Sequence, residues 1–244
     1  MRLLLGMMIS VGLIAGIISL WATPATAQGQ DLDSPKADPA HHRVEFENDR
    51  VRVVRWVVPP GDKTALHDHP SLVNVLLTDV NARVTTPDGK NSEIHDKAGS
   101  AAWRGPTTHV VENISNKSME GILVEPKGPG NSAWTPPPLD SVKTDPDTHK
   151  VEFENDQVRV VRVQYKPGER SRMHDHPDQV QVWLTDANIR ITLPDGQTSE
   201  DHPKAGVARW RSAFSHVAEN IGDQLFQEIS VELKGPPPAT TTNK

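Results

Sequence analysis

Cysteine is absent from this chain of 244 residues. Without a thiol, the protein can form no disulfide bond, use no thiolate as a metal ligand and carry no cysteine nucleophile. Any metal ion that it binds must therefore be held by nitrogen and oxygen atoms.

Runs of strong helix formers and dense clusters of basic residues are scarce as well. Valine, threonine, proline and glycine recur at short spacings instead, which favours an all-β fold. The formal net charge is −6 and no stripe of Lys and Arg is present, so the composition predicts no nucleic-acid partner. Apolar and charged contents of 35% and 24% are typical of a soluble globular protein.

The first 27 residues differ in character from the rest of the chain. Arg2 supplies a positive charge, residues 3–21 are uncharged and mostly apolar, and Ala25-Thr26-Ala27 forms a small-residue A-x-A site. This layout predicts a signal peptide over residues 1–27 and a periplasmic or secreted protein without membrane contact after cleavage. Because the apolar run is long for a signal core, an uncleaved membrane anchor is the alternative.

An internal repeat dominates the remainder. Residues 42–129 align with residues 149–236 at a constant offset of 107, with 49 identities in 88 positions. We therefore expect a tandem duplication of one small domain. The predicted segments are a flexible lead-in at 28–40, a first domain at 41–129, a Pro-rich linker at 130–147, a second domain at 148–236 and a disordered tail at 237–244. Domains of about 90 residues bury a modest core, so we expect the two to pack on each other.

Each copy is predicted to be a series of short strands. Val51–Val58 and Val158–Tyr165 are rich in β-branched residues. Pro87-Asp88-Gly89 and its counterpart at 194–196 predict tight turns, because Pro presets φ and Gly accepts positive φ. Many short strands with such turns indicate a sandwich or a barrel.

The histidines are the strongest chemical signal. The run His-Asp-His-Pro occurs at 67–70 and again at 174–177. Two histidines separated by one residue share a strand face, and a third, His109 or His216, follows about 40 residues later in each copy. Three neutral imidazoles leave open positions on a metal for water or substrate. The alternative is that these are ordinary surface histidines. His42, His149, His95 and His202 are expected at exposed strand edges rather than as ligands.

These spacings resemble a known family. Gly61-x5-His67-x-His69-x4-Asn74 resembles the first cupin motif, and His109-x3-Asn113 resembles the end of the second. The second copy matches with Gly168, His174, His176, Gln181, His216 and Asn220. The chain is thus similar to a bicupin, and to small bacterial cupin proteins of unsettled activity. The resemblance implies two tandem cupin barrels of the double-stranded β-helix or jelly-roll type.

The resemblance also implies a metal site in each barrel. A divalent transition metal (Fe, Mn, Zn, Ni or Cu) is expected, up to one per domain. The implied ligands are His67, His69, Asn74 and His109 in the first copy, and His174, His176, Gln181 and His216 in the second.

One departure from the family pattern bears on activity. Asn74 and Gln181 stand where the family most often has Glu. Bicupin oxalate decarboxylases and oxidases depend on that Glu for a Mn site, so their activity is disfavoured here. Because Gln reaches further than Asn and ligand distances are strict, the second site is predicted to be better suited to four protein ligands.

The function expected from these features is a metal-binding bicupin that acts as a dioxygenase-like oxidoreductase on a small organic substrate. A non-catalytic module for metal or small-molecule binding is the alternative, and a structural protein with vestigial sites is a third. No catalytic residue is identified. Arg104 and Arg211 are candidates for holding a substrate carboxylate, or else are exposed or paired with Glu112 and Glu219. Trp183 either stacks on a planar substrate or fills the core.

Overall fold

The structure is a computed structural model, and it describes residues 31–235. The predicted signal peptide at 1–27 and tail at 237–244 lie outside these residues. Within the described part of the chain, no helix has the length and apolar character needed to cross a membrane.

The first repeat contains one helical turn and nine strands. They are α1 (Ser34–Ala37), β1 (His42–Glu47), β2 (Val51–Val58), β3 (His67–His69), β4 (Leu72–Leu76), β5 (Val80–Thr85), β6 (Asn91–Asp96), β7 (Ala101–Arg104), β8 (Thr107–Asn113) and β9 (Met119–Pro126).

The second repeat has the same order of elements. They are α2 (Ser141–Thr144), β10 (His149–Glu154), β11 (Val158–Tyr165), β12 (His174–His176), β13 (Gln179–Trp183), β14 (Ile189–Thr192), β15 (Thr198–Asp201), β16 (Ala208–Arg211), β17 (Phe214–Asn220) and β18 (Phe226–Leu233).

Each repeat folds into two antiparallel sheets. In the first, the sheets have the strand orders β1-β2-β9-β4-β7 and β3-β8-β5-β6. In the second, the equivalent orders are β10-β11-β18-β13-β16 and β12-β17-β14-β15. A five-stranded and a four-stranded sheet thus enclose each barrel, which confirms the all-β, two-barrel prediction.

The alternation of side chains gives each five-stranded sheet two apolar faces. In β9, Ile122 and Val124 belong to one buried cluster, whereas Met119 and Leu123 belong to another. Successive residues of a strand point to opposite faces, so one set fills the barrel and the other faces outward.

The outward faces of the two five-stranded sheets pack against each other. A single apolar cluster joins residues of β2, β4 and β9 to residues of β11, β13, β16 and β18. The contact is reciprocal, since Arg55 donates to the Gly206 carbonyl oxygen at 2.5 Å and Arg162 donates to the Gly99 carbonyl oxygen at 2.6 Å. The predicted packing of the two repeats is therefore confirmed.

The predicted Pro-Asp-Gly turns are present. Gly89 has a φ of +79° and Gly196 a φ of +84°. Their amides donate to the carbonyl oxygens of Thr86 and Leu193 at 2.8 and 2.9 Å.

The lead-in differs from expectation where the structure describes it. Rather than a flexible segment, Ser34–Ala37 forms a helical turn with Ser34 fully buried, and Asp33 accepts a hydrogen bond from Arg52 at 2.7 Å. The linker repeats this arrangement with α2. The pattern Leu-Asp-Ser-x-Lys-x-Asp-Pro at 32–39 and 139–146 has the same offset of 107, so the repeat begins earlier than residue 41.

Candidate metal centre

Four histidines of the first repeat converge inside its barrel. His67 on β3 lies opposite His109 on β8, and His69 shares the inner face of β3. His42 begins β1 and places its ring centroid 4.5 Å from that of His67.

These rings are close enough to bind one ion. One nitrogen from each of His42, His67 and His69 lies within 4.8 Å of the other two. The ring centroid of His109 is 4.8 Å from that of His67 and 5.4 Å from that of His69. We name these four residues the first histidine cluster.

The second repeat reproduces the arrangement with four histidines that we name the second histidine cluster. Ligand nitrogens of His149, His174 and His176 lie within 4.8 Å of one another. The fourth member is His216, whose ring centroid is 4.7 Å from that of His174 and 5.2 Å from that of His176. The Nε2 atoms of His174 and His176 are only 2.9 Å apart.

The expectation that His42 and His149 are exposed is wrong, because they are 6% and 2% exposed. Each begins a strand that pairs with the long strand beside it, and the pairing carries the imidazole onto the HxH rings. The two histidines after the Pro-Asp-Gly turns, His95 and His202, are exposed as predicted, and each bonds to an asparagine oxygen.

The local hydrogen bonds prepare the imidazoles for ligation. The Nδ1 of His67 lies 2.8 Å from the Ala65 carbonyl oxygen, and the Nδ1 of His174 lies 2.9 Å from that of Arg172. A carbonyl oxygen only accepts, so Nδ1 carries the proton and leaves a lone pair on Nε2, which in His174 lies against the Nε2 of His176. The buried Nε2 of His67 has no hydrogen-bond partner. Since a buried lone pair without a partner is unfavourable, the site fits a divalent transition metal.

Burial favours the neutral form of several cluster histidines. It is the largest cause lowering the pKa of His42, His109 and His176, each to about 3, and of His149 to about 2. The neighbouring histidines lower these pKa values further. A neutral imidazole is the form that binds a metal, so these four side chains are ready to ligate at neutral pH.

A carboxylate and an arginine stand behind one histidine of each cluster. In the second barrel, Glu232 lies 3.6 Å from the Nδ1 of His176, and Arg159 donates to Glu232 and to Asp140, each at 2.5 Å. The contact between Glu232 and His176 is longer than a hydrogen bond, so this carboxylate–arginine chain lies beside the imidazole without bonding to it.

The first barrel contains the same chain with longer contacts to the histidine. Glu125 lies 3.9 Å from the Nδ1 of His69, and Arg52 donates to Glu125 at 2.5 Å and to Asp33. The sequence analysis missed both chains, although the recurrence of these residues at the offset of 107 was available as a signal.

The two amides predicted as fourth ligands bond to other side chains. Asn74 accepts from Trp56 Nε1 at 3.1 Å. Gln181 donates to Glu228 at 3.1 Å and accepts from the Nε of Arg211 at 3.3 Å. In the structure the fourth imidazole of each cluster comes instead from the first strand of the repeat, and ligation by the amides remains a prediction.

Each histidine cluster opens into a cavity, and we name these cavities the first cup and the second cup. The first cup, of about 330 Å³, is lined by Trp56, Leu76, Ile94 and Arg104, among others. The second cup, of about 460 Å³, has polar and aromatic lining residues that include Tyr165, Gln181, Trp183, Asp201, Arg209, Arg211, Phe214 and Glu228.

The candidate substrate-binding residues all line these cups. Trp183 is 3% exposed and packs against Phe226, with ring centroids 5.7 Å apart. The side chains of Arg104 and Arg211 are about half exposed and lie 3.5 Å from Asp96 and 3.3 Å from Asp201.

The alternative that these arginines pair with Glu112 and Glu219 is not what the structure shows. Those two glutamates bond instead to Arg83 and Arg190. Both arginines of the cups therefore lie where an incoming anion could meet them.

Comparisons with known proteins find a likeness in fold alone. No protein-family model and no curated protein sequence matches the chain. Among solved structures, a cupin domain from Bordetella pertussis is 26% identical, covering 36% of this chain and 92% of its own, with a TM-score of 0.34. A variant oxalate decarboxylase from Bacillus subtilis is 16% identical, covering 80% of this chain and 72% of its own, with a TM-score of 0.54.

A third structure agrees with the second. The Lactobacillus farciminis oxalate decarboxylase in complex with formate is 16% identical, covering 80% of this chain and 84% of its own, with a TM-score of 0.50. These likenesses show that each repeat has the cupin fold. With two barrels in one chain, the protein has the bicupin fold, and at these identities the likeness extends to the fold alone.

Proposed function

We propose that the protein is an exported, metal-dependent enzyme that performs an oxygenase-type oxidation of a small organic substrate in the second cup. The observation that carries this proposal is the second histidine cluster, in which four buried neutral imidazoles meet and three of them line an open cavity. Buried imidazoles that face a cavity are the arrangement of a reactive metal site rather than a closed structural one.

In this proposal, different residues of the second barrel have different roles. A bound divalent transition metal would supply Lewis acidity and, if redox-active, one-electron chemistry with dioxygen. The four histidines hold it, and Glu232, bound by Arg159, lies beside the His176 ring. Trp183 and Phe214 line the apolar wall that excludes water, and Arg211 lies where it can bind an anionic group of the substrate.

The first cup favours a second candidate function, the non-catalytic binding of metal or a small molecule. Trp56 projects into that cup, and Leu76 and Ile94 add apolar wall. Asn74, whose oxygen accepts from Trp56, stands in place of Gln181, and Gly121 stands in place of the buried Glu228. The first cup can therefore hold a ligand without a buried carboxylate equivalent to Glu228.

Metal analysis and oxygen uptake test the proposal. Untagged protein from residue 28 is stripped, reloaded with each of Fe, Mn, Zn, Ni and Cu, and its metal content measured by mass spectrometry. Oxygen consumption is then followed with a panel of small organic acids and polyphenols. We expect up to two metal ions per chain and turnover that His174→Ala abolishes while His67→Ala retains it.

The outcomes separate the candidates. Failure to bind any transition metal would contradict the enzyme and the metal-binding module. Metal binding without oxygen uptake on any member of the panel would favour the binding module over the enzyme.

Export is tested separately. Amino-terminal sequencing of protein from the periplasm or medium should begin at Gln28, because Ala25-Thr26-Ala27 is the predicted cleavage site. An intact amino terminus in the membrane fraction would instead support an anchor.

A further inference from the structure

Glu228 is a buried carboxylate in the wall of the second cup. It lies on β18, is 4% exposed and lines the cavity. Its oxygens accept from Gln181 Nε2 at 3.1 Å and from Ser230 Oγ at 2.8 Å. Among the residues that the structure describes, no lysine or arginine forms an ion pair with it. A buried carboxylate held only by neutral donors is unfavourable, and it suggests a role toward a ligand.

Glu228 is one end of a polar ladder that runs toward the mouth of the cup. The amide of Gln181 donates to Glu228 and accepts from Arg211 Nε at 3.3 Å. Arg211 in turn lies 3.3 Å from Asp201, which also binds Arg209 at 2.6 Å. The ladder fixes the Gln181 amide in one orientation, since its nitrogen faces a carboxylate and its oxygen faces a guanidinium.

The first cup lacks this ladder because its residues differ together. Glu228 corresponds to Gly121, and a Cβ placed there would lie 2.6 Å from Trp56 Nε1. Trp56 corresponds to Val163, so an indole takes the volume that the carboxylate uses in the second cup. At the mouth, Asp201 and Arg209 are replaced by Ile94 and Ala102.

The two ends of the ladder have complementary chemistry. Arg211 presents a partly exposed cation that can bind a carboxylate, and Glu228 presents an acceptor about one amide group away. A hydroxy acid carries a carboxylate and a hydroxyl at a similar separation, so it can lie alongside Gln181 and bond to both ends. Trp183 and Phe214 leave room for an apolar substituent in the cavity of about 460 Å³.

We propose that the second cup recognises a small 2-hydroxy carboxylic acid, with Arg211 binding its carboxylate and Glu228 accepting the hydrogen bond of its hydroxyl. This inference rests on the proposed function, because it names the substrate class of the same cup. Glu228 is thereby the residue that determines specificity between the two barrels.

Binding to the zinc-loaded full chain tests the inference, since zinc has no redox chemistry and permits titration without turnover. Isothermal titration calorimetry compares lactate with propionate and mandelate with phenylacetate, pairs that differ in the hydroxyl. We expect one site per chain and at least tenfold tighter binding of each hydroxy acid.

The variants assign that preference to the ladder. Glu228→Met should remove the preference, because its thioether is at most a weak acceptor, and Arg211→Met should weaken all four acids at least tenfold. Arg190→Met removes an arginine of the same barrel that lies outside the cavity lining, and it should alter none of them. Glu228→Asp keeps the charge but withdraws it by one methylene, and it too should lose the preference.

Contradicting results are equally clear. Equal affinity within both pairs, no binding of any of the four acids, or an equal effect of Arg190→Met would overturn the inference. Metal content and thermal unfolding of each variant are measured alongside. If the protein takes up no metal, the proposed enzyme function fails, and the same titrations on metal-free protein still decide whether Glu228 and Arg211 bind hydroxy acids.

Discussion

The two barrels share a strand order and a histidine cluster, and they differ in the side chains that line their cavities. Both have the same strand order, a four-histidine cluster and a carboxylate–arginine chain behind one histidine. The first cup is lined largely by Trp56, Leu76 and Leu123, whereas the second contains Gln181 and Glu228. The histidine cluster has thus been kept, and the lining of the cavity beside it has changed.

The two cups differ at pairs of positions whose side chains share one space, rather than at independent positions. An indole at 56 requires glycine at 121, because any Cβ there would collide with the ring. Valine at 163 leaves the space in which Glu228 reaches Gln181. Close packing of barrel interiors explains why these positions change together.

The largest predicted effect comes from breaking one of these pairs. Gly121→Glu places a carboxylate against the Trp56 indole in an apolar cup, combining a steric clash with an unpaired buried charge. We expect a loss of about 4 kcal/mol in the free energy of unfolding, or about 10 °C in melting temperature. Thermal and urea unfolding measure this, with Glu228→Gly, which only opens space, as the matched change.

The double variant Trp56→Val/Gly121→Glu is the control. It should recover roughly half of the lost stability, because it recreates the second-cup pair without the hydroxyl of Ser230. A single variant as stable as the parent protein would show that the two positions are not coupled.

Removal of His42 or His149, the fourth imidazole of each histidine cluster, tests a feature that the two barrels share. His42→Ala and His149→Ala should each weaken metal binding in its own barrel by at least ~100-fold, since even groups that only orient a ligand are worth 10–100-fold. Competition titration with a chromogenic chelator measures both affinities, and His95→Ala serves as the exposed control. Retention of two tightly bound ions in His42→Ala or His149→Ala would exclude that histidine as a ligand.

The pH dependence of stability distinguishes the barrels next. Burial raises the pKa of Glu228 from 4.5 to about 7, so its favourable contribution is present below pH 4.5 and is lost as the pH rises through 7. Gly121 offers no such group. Metal-free Glu228→Gln should therefore lose about 1–2 kcal/mol less than wild type between pH 5 and 8.

The histidines give stability the opposite dependence on pH. Their lowered pKa values give stability that is present above pH 6.5 and is lost as the pH falls toward 3. Urea unfolding of metal-free protein across this range should show the acid loss in wild type and in Glu228→Gln alike. An identical alkaline limb in both proteins would contradict the assignment to Glu228.

The smallest expected effect concerns the arginines at the two mouths. Arg104→Met and Arg211→Met should each change the free energy of unfolding by less than about 1 kcal/mol, because their ion pairs are half exposed. A larger loss for Arg211→Met in urea unfolding would mean that the polar ladder also supports the fold of the second barrel.

The alternation of side chains along a strand predicted the main strands and the facing histidines well. The strands Val51–Val58 and Val158–Tyr165 coincide with β2 and β11, and the inward pairing of the HxH histidines with His109 and His216 follows from the same alternation. These features depend on local spacing, which a sequence displays directly.

The remaining features depend on contacts distant along the chain. Nothing near His42 shows that β1 lies beside β2 and carries its imidazole into the cluster. Glu228 looks like an ordinary strand glutamate until Gly121 is seen at the equivalent place in a filled cup. The polar lead-in looked flexible because its anchor, Asp33 to Arg52, links segments that local composition cannot relate.

The apolar contact between the barrels bears on how the two cups came to differ. It joins equivalent faces through reciprocal arginine contacts, which is the geometry of a symmetric homodimer carried within one polypeptide. In a true homodimer every substitution would appear in both cups at once. Covalent fusion removes that constraint, so one copy could acquire an indole and the other a carboxylate while the shared face held them together.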